Sequence, residues 1–422
     1  MLYDIGFFIF SLFYLPTLIF KGKLHGDFGE RFGFYGREKR AALAQAKGAI
    51  WIQAVSVGEV ALCRSLVPMM REKFPQHPIV FSTITKTGNE LARKLFSKDA
   101  VIIYFPLDFS FVVKKVIRMI KPKMYVMVET EIWPNFLKTI ERNTIPAILI
   151  NGRISDKSFG KYEMARPFLQ KIIKNMNSLC MQSKTDADRI IKMGAAAEKV
   201  KVTGNMKFDV PAKPIQSSGD ELKKQLGLEE GDELLVAGST HPGEEEAVID
   251  AYQDIVKKIP GLKLLIAPRH IDRADEVAEV ARGCGFNPVK LSVLQSDASN
   301  SQIFILDTIG RLNDFYSIAS AVFVGGSLIP HGGQNPIEPA IYGKPVIFGP
   351  YMFNFKGIAE AFLSKDAAIR VDAAGDLTAV LYNMLANKNR QAEVGLRAKE
   401  VIAANRGATE NVLNEMGRFL NA

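Results

Sequence analysis

From Ala49 onward one unit recurs along the chain: a short β-rich run, a polar or glycine-bearing turn, then a helical stretch. Strands that alternate with helices have to run parallel, because each helix carries the chain back over a sheet covered on both faces. The runs expected as strands are Ile50 to Val55, Ile79 to Thr83, Val101 to Phe105, Met124 to Val128, Ala147 to Ile150, Leu179 to Gln182 and Val200 to Thr203. Helical stretches such as Glu90 to Phe96, Phe111 to Ile120 and Phe168 to Met176 separate them. Between Phe208 and Gly219, Pro211, Pro214 and Ser217-Ser218 break the pattern, as a linker does. A second series follows, with strands at Leu234 to Ala237, Lys263 to Ala267, Ile303 to Leu306, Ala321 to Val324 and Val346 to Phe348. A helical tail, Leu377 to Leu420, is free to pack back across the first domain. The expected fold is therefore α/β: two Rossmann-like domains facing a cleft, behind an apolar N-terminal membrane segment. The divisions are 1–22, the membrane anchor; 23–207, the first domain; 208–219, the linker; and 220–422, the second domain.

Ligands of parallel sheets bind outside the carboxyl ends of the strands. In the first series those ends carry Ser56-Val57-Gly58-Glu59, Glu129-Thr130-Glu131, Asn151-Gly152-Arg153 and Gly204-Asn205-Met206-Lys207. In the second they carry Ser239-Thr240-His241, Pro268-Arg269-His270, Ile309-Gly310-Arg311 and a long motif from Val324 to Ala340. That motif runs strand, two glycines, a second glycine pair at Gly332-Gly333, then Asn335-Pro336 as a helix N-cap and first helical residue. A helix end with free N–H groups suits a phosphate, and two glycine pairs in one loop suggest close backbone approach to a ligand. Glu338 reads either as a ribose acceptor or as the closing acid of a capping box.

Composition narrows the partner. The chain of 422 residues carries a formal net charge of +9, which points to an acidic partner: a phosphorylated substrate or an anionic membrane before a nucleic acid, since no RNA-binding aromatic motif or basic helix-turn-helix is present. Cys63, Cys180 and Cys284 show no zinc spacing and fit a reducing compartment. Leu2 to Phe20 is almost wholly apolar, broken by Asp4 and Pro16, and basic residues such as Lys21, Lys23 and Arg31 follow it. That order argues against a removable signal peptide and keeps the body of the protein cytoplasmic. The segment reads as a spanning signal-anchor, an interfacial helix or a membrane-lying hairpin.

Several motifs, in order and at matching spacing, resemble the Kdo transferases. They are Ala54-Val55-Ser56-Val57-Gly58-Glu59, Glu129-Thr130-Glu131-Ile132-Trp133-Pro134-Asn135, Asn151-Gly152-Arg153, Gly204-Asn205-Met206-Lys207-Phe208-Asp209, Pro268-Arg269-His270, and Gly325-Gly326-Ser327 with Gly333-Gln334-Asn335-Pro336-Ile337-Glu338. These enzymes move 3-deoxy-D-manno-octulosonic acid (Kdo) from CMP-Kdo to a lipid A precursor in lipopolysaccharide assembly. The resemblance spans nearly the whole chain. It implies a GT-B glycosyltransferase at the cytoplasmic face of the inner membrane, inverting and metal-independent, with no cofactor and no nucleic acid partner. Carried over by motif, Glu59 would be the general base, and Glu129 and Lys207 would assist the transition state. Pro268 and Arg269, the Ile309, Gly310 and Arg311 stretch, and Asn335, Pro336, Ile337 and Glu338 would hold CMP.

Each residue also has a plainer reading. Glu59 opens a helix, where an acid is stabilising in its own right. Asp186 and Asp188 read as first-turn helix acids rather than as metal ligands. His241 is open between a structural imidazole and a phosphate contact, and Trp133 reads as packing. The two-domain plan alone does not separate a transferase from a UDP-sugar epimerase or a nucleotide-binding scaffold.

Overall fold

The computed structural model describes residues 3–4, 6–9, 26–211, 214–294 and 301–420. The chain divides into two compact units, Met1–Pro211 with Asn405–Ala422, and Ala212–Ala404. The expected membrane segment, residues 1–22, lies largely outside the described residues, as do Ala212 and Lys213 of the expected linker. No helix among the described residues is long and apolar enough to cross a membrane.

The first unit is built on a seven-stranded parallel sheet of β1 (Ile50–Gln53), β2 (Ile79–Thr83), β3 (Ala100–Tyr104), β4 (Met124–Val128), β5 (Ala147–Gly152), β6 (Ser178–Met181) and β7 (Val200–Val202), in the order β3-β2-β1-β4-β5-β6-β7. Side chains alternate across a strand, and the two faces of β1 show what each buries. Trp51 packs with Phe105, Tyr125 and Phe136 on one face, and Ile50 and Ile52 pack on the other with Val126, Leu413 and Met416. The last two belong to the C-terminal helix Ala408–Leu420, so the tail closes one face of this sheet. Its N-terminus is held by Asp209, whose carboxylate accepts from Gly407 N–H at 2.7 Å and Thr409 N–H at 2.6 Å.

The second unit repeats the plan with β8 (Glu233–Thr240), β9 (Leu262–Pro268), β10 (Val289–Lys290), β11 (Ile303–Ile305), β12 (Ala321–Val324), β13 (Val346–Phe348) and β14 (Ile369–Arg370), in the order β10-β11-β9-β8-β12-β13-β14. Both outermost strands, β10 and β14, have two residues each and give no periodic signal to read.

Three sequence expectations need correction. β1 ends at Gln53 rather than Val55, because Val55 turns into the helix start: its N–H donates to the Glu59 carboxylate. The tail is three helices, Leu377–Leu385, Lys388–Asn405 and Ala408–Leu420, and Gly407 takes a φ of 98° at the second break. The expected linker is ordered at its start, where Phe208 is buried in the 3-10 turn Met206–Asp209.

Candidate functional site

In the first sheet the chain runs outward from β1 to β3, then returns to place β4 on the other side of β1. Their carboxyl ends form the topological switch point, where an α/β sheet opens a crevice. Glu59 and Glu129 stand there. Glu59 lies in the first turn of the helix Val57–Lys73, with only 8% of its surface exposed. Its carboxylate accepts from Val55 N–H at 2.6 Å and from the Ser56 hydroxyl at 2.9 Å, so the plainer helix-start reading is realised in full. Burial nevertheless raises its pKa to about 7: desolvation outweighs the Val55 N–H bond, and the charges of Glu129 and Glu131 add to it.

Glu129 follows β4 with a φ of 58°, and Asn151, on neighbouring β5, has a φ of 51°. Two non-glycine residues in the left-handed region at adjacent strand ends store strain of the kind found at functional sites. The Asn151 Oδ1 accepts from Met206 N–H at 3.0 Å, which fixes the turn that carries Lys207. Asn205 Oδ1 accepts from Lys207 N–H at 3.0 Å. Burial depresses the Lys207 ammonium, with Glu129 and Glu59 opposing that and Arg153 adding to it. Glu59, Glu129 and Lys207 thus share one electrostatic neighbourhood. Glu131 joins it, its carboxyl raised by burial and by Glu129, as does Arg153. Neither of these last two was among the candidate catalytic residues; their position beside the first three was the missing signal. Trp133 packs against Phe105 at 5.9 Å between ring centroids, and its buried indole N–H meets no acceptor.

The second unit has the equivalent switch point between β8 and β12, and here the glycine motif departs from expectation. The helix after Asn335 is one short turn, Ile337–Ala340. Pro336, with helical torsions, stands at the N-cap where Asn335 was expected; Asn335, one residue earlier, accepts through Oδ1 from Ile337 N–H at 3.1 Å, and four residues align too few peptide dipoles for a strong anion site. The loop amides are also engaged. Glu244, fully buried, accepts from Gly326 N–H at 2.6 Å, from Ser327 and Leu328 N–H at 2.9 Å, and from His241 N–H at 3.1 Å. The close approach that the glycines permit is to the protein itself. A Cβ on Gly325 would run into Ser239 and Thr240, and one on Gly332 or Gly333 would meet Met352, Phe353 and Asn354.

Around that loop three imidazoles from different elements gather. The His241 ring lies 4.0 Å from that of His331 and 6.2 Å from that of His270. Gln334 Nε2 is 3.4 Å from His241 Nε2. Burial, then the neighbouring His331, His270, Arg269 and Arg273, lower the His241 pKa to about 4. Pro268 ends β9, and Arg269, exposed, donates its backbone N–H to Thr240 O at 2.9 Å. Arg273 is occupied by Glu245 and Glu276. Ile309 is 82% exposed, and Gly310 has a φ of 92°. Arg311 is turned to Asp314 at 3.3 Å and Ser217 at 3.2 Å, so what this stretch offers a ligand is backbone. The charge of Glu338 bears on buried Tyr316, whose hydroxyl is pushed up chiefly by desolvation. Asp186, the alternative metal candidate, accepts from Ile154 N–H at 2.8 Å and binds Ser183 at its own helix start. No group of three or more His, Cys, Asp or Glu among the described residues is placed to hold a metal ion.

Comparison with known proteins identifies the family. Residues 26–210 match the family described as 3-Deoxy-D-manno-octulosonic-acid transferase (kdotransferase). The 3-deoxy-D-manno-octulosonic acid transferase of Haemophilus influenzae is 32% identical over 397 residues, 93% of this chain and 91% of its own. That of Chlamydophila psittaci is 31% identical over 382 residues, 88% of this chain and 85% of its own. Among solved structures, a putative UDP-N-acetylglucosamine 2-epimerase from Listeria monocytogenes has the same fold, with a TM-score of 0.60 over 89% of this chain and 98% of its own at 14% identity. A likeness at that identity is one of architecture, whereas the full-length sequence match is specific: the chain belongs to the 3-deoxy-D-manno-octulosonic acid transferase family.

Proposed function

We propose that this Kdo transferase moves Kdo from CMP-Kdo to a hydroxyl of a lipid A precursor of the lipid IVA type, with inversion and without a metal ion. The observation that carries the reading is Glu59, a carboxylate at the β1/β4 switch point whose proton affinity is raised to about 7. A general base is most effective with a pKa near the working pH. As the acceptor oxygen attacks the anomeric carbon of Kdo, its proton passes to Glu59. The bond from that carbon to the phosphate oxygen breaks, and CMP leaves with the electron pair. A phosphate needs no proton to depart, only positive charge, for which Arg269 is the candidate. The oxocarbenium character at the attacked carbon favours carboxylates nearby, and Glu129 is suited to that role. Lys207 is the group suited to orient the Kdo or acceptor oxygens.

Membrane association at the cytoplasmic face of the inner membrane belongs to the same proposal. Phe8, Ile9, Phe111, Met164 and Phe168 are exposed on the first unit. Phe7, Phe109 and Phe111 form a run of ring contacts at 4.9 and 5.7 Å, and Tyr3 stacks on Phe168 at 6.5 Å. Asp4, which interrupts the apolar N-terminal run, accepts from Ser110 N–H at 2.8 Å and Asn135 Nδ2 at 3.0 Å. The helix Ser110–Ile120 that presents Phe111 also carries the exposed Lys114 and Arg118, and an aromatic and basic surface of this kind suits an anionic bilayer.

The deciding experiment is incubation of labelled CMP-Kdo with a tetraacylated, bis-phosphorylated lipid A precursor. Label appearing in the lipid fraction supports the acceptor assignment. Label that stays with the nucleotide in this incubation, while a parallel incubation with a different acceptor takes it up, would overturn it.

A further inference from the structure

In the first unit five residues, 129–133, join β4 to the helix Pro134–Arg142, and they carry Glu129 and Glu131. Where those carboxylates stand decides how strongly both act on Glu59 and how strongly Glu129 acts on Lys207, so each end of the segment has to be fixed. Its first end is held beside β5: Glu129 N–H donates to Ile150 O at 3.0 Å and the Thr130 hydroxyl to Arg153 O at 2.8 Å. Its second end has no cap of its own. Trp133 stands at the N-cap without a side-chain cap bond, and Pro134 follows with no N–H to give.

Asp108, in the loop after β3, supplies the missing hold. Its wholly buried carboxylate accepts from Asn135 N–H at 3.0 Å and from Phe136 N–H at 2.8 Å, and its carbonyl accepts from Asn135 Nδ2 at 2.6 Å. The N-terminal segment reaches the same point. Asp4 Oδ1 accepts from Asn135 Nδ2 at 3.0 Å and from Ser110 N–H at 2.8 Å, and the Tyr3 hydroxyl bonds to the Asp108 carboxylate. A serine or threonine at position 133 would cap the helix without burying a charge. Burial instead raises the Asp108 carboxyl to about 7, against the pull of the two N–H groups and Tyr3 and with Asp4 adding to the rise. A buried acid from another strand end does what a local cap does not: it ties the segment that bears Glu129 and Glu131 to the loop after β3.

We propose that Asp108 is a positioning residue for sugar transfer, clamping the far end of segment 129–133 through Asn135 so that Glu129 and Glu131 keep their places beside Glu59. Being wholly buried, it acts through that segment and not on a substrate. The inference rests on the reading of Glu59 as the base. Val55 N–H and Ser56 favour the charge of Glu59, Glu129 and Glu131 oppose it, and Lys207 interacts with it from the turn after β7. Releasing the clamp lets the two acids move off and water enter, and both changes lower the proton affinity of Glu59.

The test is steady-state kinetics of the full-length protein with CMP-Kdo and a tetraacylated lipid A precursor, from about pH 5 to about pH 9, for the wild type, Asp108→Ala and Asn135→Ala. Asp108→Ala should lower kcat about 10- to 100-fold through misplacement of the segment, with the KM for CMP-Kdo held within about twofold. The acid limb of kcat/KM should move down by about half a pH unit or more. Asn135→Ala keeps the backbone N–H bonds and loses only the side-chain ties, so it should shift kcat and the limb in the same directions by less, and it keeps the test available should Asp108→Ala fail to fold. An unchanged kcat or an unmoved acid limb overturns the proposal, whatever happens to the thermal midpoint, and leaves Asp108 a helix cap. A wild-type limb near pH 7 that the variants share removes Asp108 alone, whereas a wild type with no limb there removes the reading of Glu59 as base and this inference with it.

Discussion

Glu59 holds two duties in tension. Its hydrogen bonds from Val55 N–H and Ser56 stabilise a helix start, while burial beside Glu129 and Glu131 penalises its charge. A carboxyl whose folded pKa exceeds its unfolded value contributes stability below the unfolded pKa and loses it as pH rises through the folded one, here from about 4.5 to about 7. Glu59→Gln should therefore raise the thermal midpoint above pH 7 relative to wild type and leave it nearly unchanged near pH 4, a crossover that scanning calorimetry at several pH values will show or exclude. Activity should run the other way. The charged form is the base, so kcat/KM should fall about tenfold per pH unit below pH 7, and Glu59→Gln should lower kcat by roughly 10² to 10⁴ with CMP binding intact. A variant that keeps wild-type turnover would remove Glu59 from the chemistry.

At the scale of elements, two carboxylates organise what the backbone cannot hold alone. Glu244 accepts four N–H groups from two segments. Glu244→Ala leaves those donors buried without acceptors, and a loss of about 3 kcal/mol or more is expected in urea unfolding; CMP affinity should fall with it, since the loop leads into Asn335. Asp209 does the same for the C-terminal helix and sits two residues from Lys207 in one 3-10 turn. Replacing it with alanine should cost about 1 kcal/mol of stability as a lost cap.

At the scale of the molecule, the C-terminal tail completes the core of the first unit. Leu413 and Met416 are buried against Ile50, Ile52 and Val126, so Leu413→Ala should destabilise the protein by about 2 to 5 kcal/mol, measurable by chemical denaturation although the residue stands far along the chain from the sheet it covers. The exposed aromatics of the same unit make a second prediction. Phe111, 68% exposed, and Phe168 changed to serine should reduce flotation with anionic vesicles severalfold without changing the thermal midpoint; full retention of binding would rule out this face as the membrane contact.

The sequence by itself determined both parallel sheets, most strand cores and the set of strand-end residues, because those depend on local periodicity and on the rule that ligands meet carboxyl ends. It also carried the family, through motifs whose spacing survives without coordinates. The two-residue strands β10 and β14 left no pattern to read, and the C-terminal helix offered no sign of which face it would cover. Only the tertiary structure decided what the glycine loop does. Glu244 lies some eighty residues before that loop, and nothing local records that its buried carboxylate takes the amides a ligand was expected to claim, or that three separated histidines meet where those amides are lost. Hydrogen-bond partners are chosen by proximity after folding, and proximity between distant segments is the one property that a linear pattern does not encode.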